Sequence, residues 1–230
     1  MAKFFCIGVH SSIGLKKGEH YFVYKGVQCS YRSGYSEGDT DAFNGRFGDG
    51  TSEEECYRHL TEFLSAFAFS SDARLIPDPG MSTNLSCSIA DFKGSYGARR
   101  EIPVDQVMDQ FWLIPPIMNE DQATLARLYR EARAASNNYL GALFFWHALV
   151  FPSKDDRAAV EYIDKLTASP PEELQFNGDS IERVQQNPIF APGAGPLGDI
   201  GAYLREGVRN SIAHIVRDRP NTRNIQLAGC

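Results

Sequence analysis

The chain has 230 residues, enough for one large domain or two modest domains with cores of their own. Its 43% hydrophobic and 23% charged residues are typical of a globular protein, and a formal net charge of −6 argues against coating nucleic acid by charge alone. No apolar run approaches the roughly 20 residues of a membrane span, and the N-terminus lacks a signal-peptide pattern.

The cysteine pattern bears on compartment and metals. Five cysteines lie at wide spacing, without a CxxC pair or a Cys/His ligand spacing. An odd number without a signal peptide favours free thiols in a reducing compartment. We therefore expect a cytoplasmic protein with no metal, no cofactor and no membrane partner.

The first part of the chain is typical of β-strands. Runs rich in Phe, Tyr and Val, separated by glycine-containing breaks, predict strands at residues 3–10, 19–27 and 28–35. Residues 38–50 are rich in Gly, Asp and Asn and are expected to form a loop. Further strand-like runs lie at residues 73–76 and 85–92, and an extended segment at residues 111–116 ends in two prolines.

A helix is predicted directly after that loop. Thr51 or Ser52 can cap it, and Glu54 or Glu55, three residues further on, completes a capping box. Its apolar residues recur at helical spacing and predict one buried face, made of Cys56, Leu60, Phe63, Leu64 and Phe67.

From Asn119 onward the pattern is helical. Asn119 can cap a helix over residues 120–136, and residues 139–151 are apolar on nearly every side, which predicts a helix buried inside a bundle. The remaining predicted helices cover residues 155–166, 180–186 and 197–217. We therefore expect an α+β protein with a strand-rich N-terminal domain, residues 1–118, and a C-terminal all-helical domain, residues 119–230.

The last helix contains an arginine and a histidine that can act on a phosphate. Arg209 is followed by Asn210 and, five positions on, by His214. A histidine can accept a proton and an arginine can stabilise phosphate charge, which suffices for RNA cleavage without a metal, because the RNA supplies its own 2′-hydroxyl. A serine-hydrolase elbow, a dinucleotide fingerprint and an HExxH motif are absent from the sequence.

The helix geometry places these two groups apart. At about 100° per residue, His214 lies roughly 80° from the buried stripe through Leu204, whereas Arg209 lies roughly 140° away in the other direction. Two copies packed across a two-fold axis could bring them together, so a catalytic interpretation implies a homodimer. Arginines exceed acids after residue 199 and would suit an anionic ligand, with Arg205 and Arg217 as the substrate-binding candidates. A solvated helix end, with arginines near its negative dipole, remains an equal alternative.

The helical part resembles the HEPN superfamily of RNA- and nucleotide-binding domains, on the Arg-Asn-x-x-x-His motif. It is most similar to the MauJ family, named for methylamine utilisation gene clusters, on Asn137-Asn138-Tyr139-Leu140 and on Gly201-Ala202-Tyr203-Leu204 leading into the motif. The resemblance covers about residues 119–219. It implies a HEPN-like helical bundle that works as a dimer.

Two functions follow from this resemblance. In the first, the chain binds RNA or a nucleotide and cleaves RNA without a metal, leaving a 2′,3′-cyclic phosphate. His214 would then be the general base, Arg209 would stabilise phosphate charge and Asn210 would orient the phosphate or the histidine. In the alternative, the chain is a non-enzymatic accessory or interaction protein that uses its bundle as a dimerisation scaffold, and Arg209 and His214 have structural roles.

Overall fold

A computed structural model describes residues 2–15, 19–33, 41–78, 81–83, 106–108, 114–168 and 200–209. The described strands are β1 (Ala2–Ser11), β2 (Ile13–Leu15), β3 (Glu19–Tyr24), β4 (Val27–Arg32), β5 (Asp41–Gly48), β6 (Leu75–Pro77), β7 (Met81–Thr83) and β8 (Gln106–Met108). The described helices are α1 (Glu53–Ser71), α2 (Glu120–Ala134), α3 (Asn138–Val150), α4 (Asp156–Ala168) and α5 (Ile200–Tyr203), which continues into a π-helical segment, Leu204–Arg209. The predicted α+β class is confirmed.

The chain divides into two compact units, Met1–Ala135 and Ser136–Cys230. The first unit is built on an antiparallel sheet with the strand order β3-β4-β5-β1-β6, and β7 pairs with another part of β1. Strands β2 and β8, which the sequence did not predict, form a separate parallel pair. No helix within the described ranges is long and apolar enough to cross a membrane.

A tight turn joins β3 and β4. Lys25 and Gly26 both have positive φ angles, 47° and 79°, which is the geometry of a two-residue hairpin turn. Tyr24 therefore pairs with Val27 across the turn. The hairpin agrees with the two predicted strands, but the chain reverses at residues 25–26 and not between residues 27 and 28.

The predicted loop at residues 38–50 is wrong over most of its length, because Asp41–Gly48 is β5, between β4 and β1 in the sheet. Its loop-like residues have non-local partners. The hydroxyl of Tyr31 donates to the buried carboxylate of Asp41 at 2.8 Å. Gly45 permits close packing, since a Cβ there would lie 2.6 Å from the Phe47 ring and 3.0 Å from Leu60.

The helix α1 confirms the predicted capping box. The backbone N–H of Glu55 donates to the hydroxyl of Ser52 at 3.2 Å, and the carboxylate of Glu55 accepts from the backbone N–H of Ser52 at 2.9 Å. That second hydrogen bond lowers the pKa of Glu55. The whole predicted apolar face is buried, and it packs in one core with residues of the sheet: Cys56, Leu60, Phe63, Leu64 and Phe67.

The helix α2 begins as predicted but belongs to the first unit. The side chain of Asn119 accepts from the backbone N–H of Gln122 at 2.9 Å, which caps the helix. Along its length α2 contacts α1, where the guanidinium of Arg130 donates to the Thr61 carbonyl at 3.2 Å. The chain therefore divides between residues 135 and 136, whereas the change in composition predicted a boundary between residues 118 and 119.

The helix α3 is less enclosed than predicted. Only part of its surface is buried, including Trp146, which is 4% exposed. Leu140, Phe145 and Leu149 are 47%, 38% and 38% exposed, so within this single chain the helix is not enclosed on every side. The predictions for residues 85–92, 180–186 and 210–217 lie outside the described residues.

Candidate functional site around Arg209

The structure describes two of the predicted site residues. Arg209 is the last residue of the π-helical segment, and Arg205 is partly buried within the same segment. Asn210, His214 and Arg217 lie outside the described residues. The geometry of the candidate site therefore concerns Arg209 and the side chains that surround it.

A glycine lets the last helix approach α4 closely. A Cβ on Gly201 would lie 2.5 Å from the carbonyl oxygen of Val160, closer than two such atoms can stand. The backbone N–H of Gly201 also donates to the carboxylate of Asp164 at 2.7 Å. Further along, Leu204 packs against the core of this unit, formed by Trp146, Ala159 and Ile163. These contacts determine the position of Arg209 relative to α3 and α4.

The π-helical segment changes the direction in which Arg209 points. Hydrogen bonds from residue i to i+5 widen each turn, so the rotation per residue is smaller than in an α-helix. The angle predicted between Leu204 and Arg209 assumed α-helical geometry, and that assumption is wrong for Leu204–Arg209. The α-helical angles that required two copies to unite Arg209 and His214 therefore do not apply to this segment. Single-turn π-helices occur frequently at functional sites.

An acidic residue of α4 holds the guanidinium of Arg209. The Nη2 atom of Arg209 lies 3.7 Å from the Oδ2 atom of Asp156, and both side chains are 29% exposed. The other carboxylate oxygen of Asp156 accepts a hydrogen bond from the indole N–H of Trp146 at 3.1 Å. Because Trp146 is buried, its indole gives the carboxylate a defined position, and the carboxylate in turn orients Arg209.

The ion pair is weak enough to be replaced by a phosphate. A separation of 3.7 Å between Arg209 and Asp156 exceeds the length of a hydrogen bond. Partly exposed ion pairs of this kind contribute on the order of 0–1 kcal/mol. An arginine binds a phosphate more strongly, because its planar fork of donors matches two phosphate oxygens. The contact with Asp156 is therefore one that a phosphate can replace.

Neither Asp156 nor Trp146 was predicted from the sequence as a partner of this site. The sequence nevertheless contains a pattern that predicts the contact between Trp146 and Asp156. Trp146 stands six residues before the Pro152 break, and Asp156 begins the next helix, so an antiparallel return brings them together. A carboxylate in the first turn of a helix is also favoured by the helix dipole.

A second polar cluster lies in the first unit. The hydroxyl of Tyr24 donates to Glu62 at 3.0 Å and accepts from the backbone N–H of Ile117 at 3.3 Å. The Nε2 atom of His59 lies 3.1 Å from the carbonyl oxygen of Tyr24, so it carries the proton that this contact needs. Burial raises the pKa of Tyr24 and lowers the pKa of His59. The cluster joins β3, α1 and the segment before α2, which is a structural role.

Another histidine contacts a carboxylate at the end of β1. The Nε2 atom of His10 lies 2.9 Å from Asp78, and the His10 side chain is 5% exposed. The backbone N–H of Asp78 donates to Gly8 at 2.8 Å, so this contact holds the chain after β6 against β1. Within the described parts of the chain, no group of three or more His, Cys, Asp or Glu side chains could hold a metal ion.

No protein-family model, curated protein or solved structure matches the chain.

Proposed function

We propose that the second unit is a HEPN-like helical domain that binds RNA or a nucleotide, and that it cleaves RNA without a metal. The observation that supports this function is the position of Arg209. Its guanidinium stands at the end of a π-helical segment, partly exposed, beside a carboxylate that the buried indole of Trp146 orients. Phosphate binding requires an arginine that is already oriented and whose contact with a carboxylate can be exchanged for one with the phosphate.

In the proposed reaction, His214 accepts the proton of a ribose 2′-hydroxyl. The 2′-oxygen attacks the adjacent phosphorus, and the bond from phosphorus to the 5′-oxygen of the next nucleotide breaks. That oxygen leaves as a hydroxyl after taking a proton from water. Arg209 stabilises the charge on the phosphate, Asn210 orients the phosphate or His214, and Arg205 and Arg217 bind neighbouring phosphates. The products are a 2′,3′-cyclic phosphate and a 5′-hydroxyl.

The test compares two arginines of the same unit. Arg209→Ala should weaken binding of a single-stranded RNA, measured by fluorescence anisotropy, and lower cleavage about 100-fold or more. The matched control is Arg157→Ala, which removes the same charge from an exposed position on α4. His214→Ala should abolish cleavage while RNA binding persists, and cleavage should continue in EDTA. Equal effects of Arg209→Ala and Arg157→Ala would contradict the proposal.

A substitution at Asp156 separates a binding role from a structural one. Asp156→Asn keeps an oxygen that can accept from the Trp146 indole, but it removes the charge that competes with phosphate for Arg209. If Arg209 binds phosphate, RNA affinity should rise several-fold. If the pair serves only the fold, the variant should lose stability with no gain in RNA affinity.

A specific observation favours the alternative function, a non-enzymatic interaction protein. The helix α3 exposes Phe145 and Leu149 one turn apart, and exposed apolar side chains that lie together mark contact surfaces. In that case Leu149→Lys should abolish binding to a partner protein, while no variant at Arg209 changes RNA binding. A homodimer is part of both proposals.

A further inference from the structure

The strand β3 lies at one end of the sheet in the first unit. This strand ends the order β3-β4-β5-β1-β6, and among the described residues no strand pairs with its outer side. Two of its side chains are largely exposed, Tyr21 at 76% and Val23 at 67%. Proteins usually protect such an edge with charges, prolines or a covering segment, because its free backbone groups can pair with another strand.

The hairpin turn determines which backbone groups face this edge. In a two-residue hairpin the residues that flank the turn exchange both backbone hydrogen bonds, and hydrogen-bonded pairs then alternate along the ladder. Tyr24 flanks the turn, so Tyr24 and Phe22 direct their N–H and C=O groups towards β4. Tyr21 and Val23 direct theirs away from the sheet. The exposed side chains and the outward backbone groups therefore belong to the same two residues.

We propose that β3 pairs in an antiparallel manner with β3 of a second copy of this chain, with Tyr21 opposite Val23 of that copy. The pairing is self-complementary about Phe22. Each of its two Tyr21–Val23 pairs exchanges two N–H···O=C hydrogen bonds, because both residues direct these groups outward. The sheets of the two copies become continuous across the two-fold axis, which is the self-matching contact of a symmetric dimer.

The side chains favour this register. An aromatic residue opposite a β-branched one is a stabilising cross-strand pair, and here it forms twice. The same register brings Glu19 next to the hairpin turn of the second copy, beyond the last residue of its strand β3. A register centred on Tyr21 would instead set the charged Glu19 opposite the apolar Val23 and lose both Tyr21–Val23 pairs. This self-match selects a second copy over an unrelated extended peptide or a nucleic acid.

The contact is small, which sets its expected strength. A six-residue edge buries less than the roughly 1,200 Å² of a stable interface, so we expect dissociation in the micromolar range. Pairing through β3 and the proposed function both involve a homodimer, but pairing through β3 does not depend on RNA binding or cleavage. Failure of the Arg209 variants to affect RNA would leave it intact, and failure of the β3 variants would leave the phosphate site intact.

The first experiment measures mass against concentration by light scattering. The wild-type mass should rise from 25.6 kDa towards twice that value between about 1 and 100 µM. Val23→Pro should raise the dissociation constant about tenfold or more, because proline removes an N–H that only the edge contact uses. Val23→Thr is the matched control, since it keeps the N–H and the β-branched shape. Circular dichroism checks the fold, and Val23→Lys serves as a second variant if the proline disturbs it.

The second experiment identifies the register by crosslinking. Opposite residues of a hydrogen-bonded pair have Cα atoms about 5.5 Å apart, within the range for a disulfide. A mixture of Tyr21→Cys and Val23→Cys chains should therefore form a disulfide-linked dimer under mild oxidation. Each variant alone should not, because two copies of residue 21 would stand roughly 8 Å apart. Wild-type protein under the same conditions measures crosslinking by the native cysteines.

Three results would overturn the proposal. The wild-type protein could stay a monomer at every concentration. Its dimer could resist Val23→Pro and Val23→Lys but dissociate with Leu149→Lys, which would assign the interface to α3. Alternatively, each single cysteine variant could crosslink as well as the mixture, which would exclude the register.

Discussion

The two units differ in what holds their elements together. In the first, a sheet and α1 enclose a cluster of large rings, in which Phe63 lies 4.7 Å from Phe22 and 4.8 Å from Phe43. In the second, the described core is one indole with small and medium side chains, and the last helix is positioned by a glycine contact and two aspartates. Burial of aromatic rings stabilises the first unit, whereas a few polar contacts determine the position of Arg209 in the second.

The largest expected effect tests the ring cluster. Phe63→Ala should destabilise the first unit by about 3–5 kcal/mol, because the 2%-exposed ring leaves a cavity among neighbours on two elements. Phe69→Ala is the matched control on the same helix, where the ring is 64% exposed, and it should cost about 1 kcal/mol or less. Segment-resolved hydrogen exchange measures each unit by itself. Equal losses for the two variants would show that the cluster is not the main source of stability.

A medium effect is expected in the second unit. Gly201→Ala should destabilise the contact between the last helix and α4 by about 1–3 kcal/mol, because the added Cβ would stand 2.5 Å from a backbone oxygen that cannot rotate away. It should also weaken RNA binding, since Arg209 follows on the same helix. The exposed neighbour supplies a control, Ala202→Ser, for which we expect no more than about 0.5 kcal/mol. Unchanged exchange rates in α4 would contradict the close approach.

The smallest expected effect is a pH dependence of stability, and it is confined to the first unit. Burial lowers the pKa of His59 below the ordinary 6.5, so the unfolded chain binds a proton more readily than the folded one does. The contribution of neutral His59 to the free energy of unfolding is present above pH 6.5. It is lost as the pH falls towards the lowered pKa of His59. Urea midpoints at about pH 7.5 and 5.5 should therefore differ less for His59→Gln than for wild type. His147→Gln, the same substitution at an exposed histidine of the second unit, is the control.

Predictions that depend on residues close together in the sequence are correct, whereas those that depend on distant residues are often wrong. The capping box at Ser52, the cap at Asn119 and the apolar face of α1 depend on residues within a few positions of one another. All of these are present in the structure. The strand β5 was predicted as a loop because Asp41 and Gly45 favour loops locally, and their stabilising partners stand on β4 and α1.

The amino-acid sequence alone was enough to predict the mixed α+β class, the strands β1, β3 and β4 and the N-terminal caps of α1 and α2, because periodicity and capping are local properties. It also identified Arg209 as a candidate from residue type and spacing. Three features follow from packing in three dimensions: α2 belongs with the sheet, α3 keeps exposed apolar residues and Leu204–Arg209 is π-helical. The tertiary structure also places Arg209 beside Asp156 and Trp146. These outcomes depend on which distant surfaces pack together, and helical spacing along one segment carries no information about its partner.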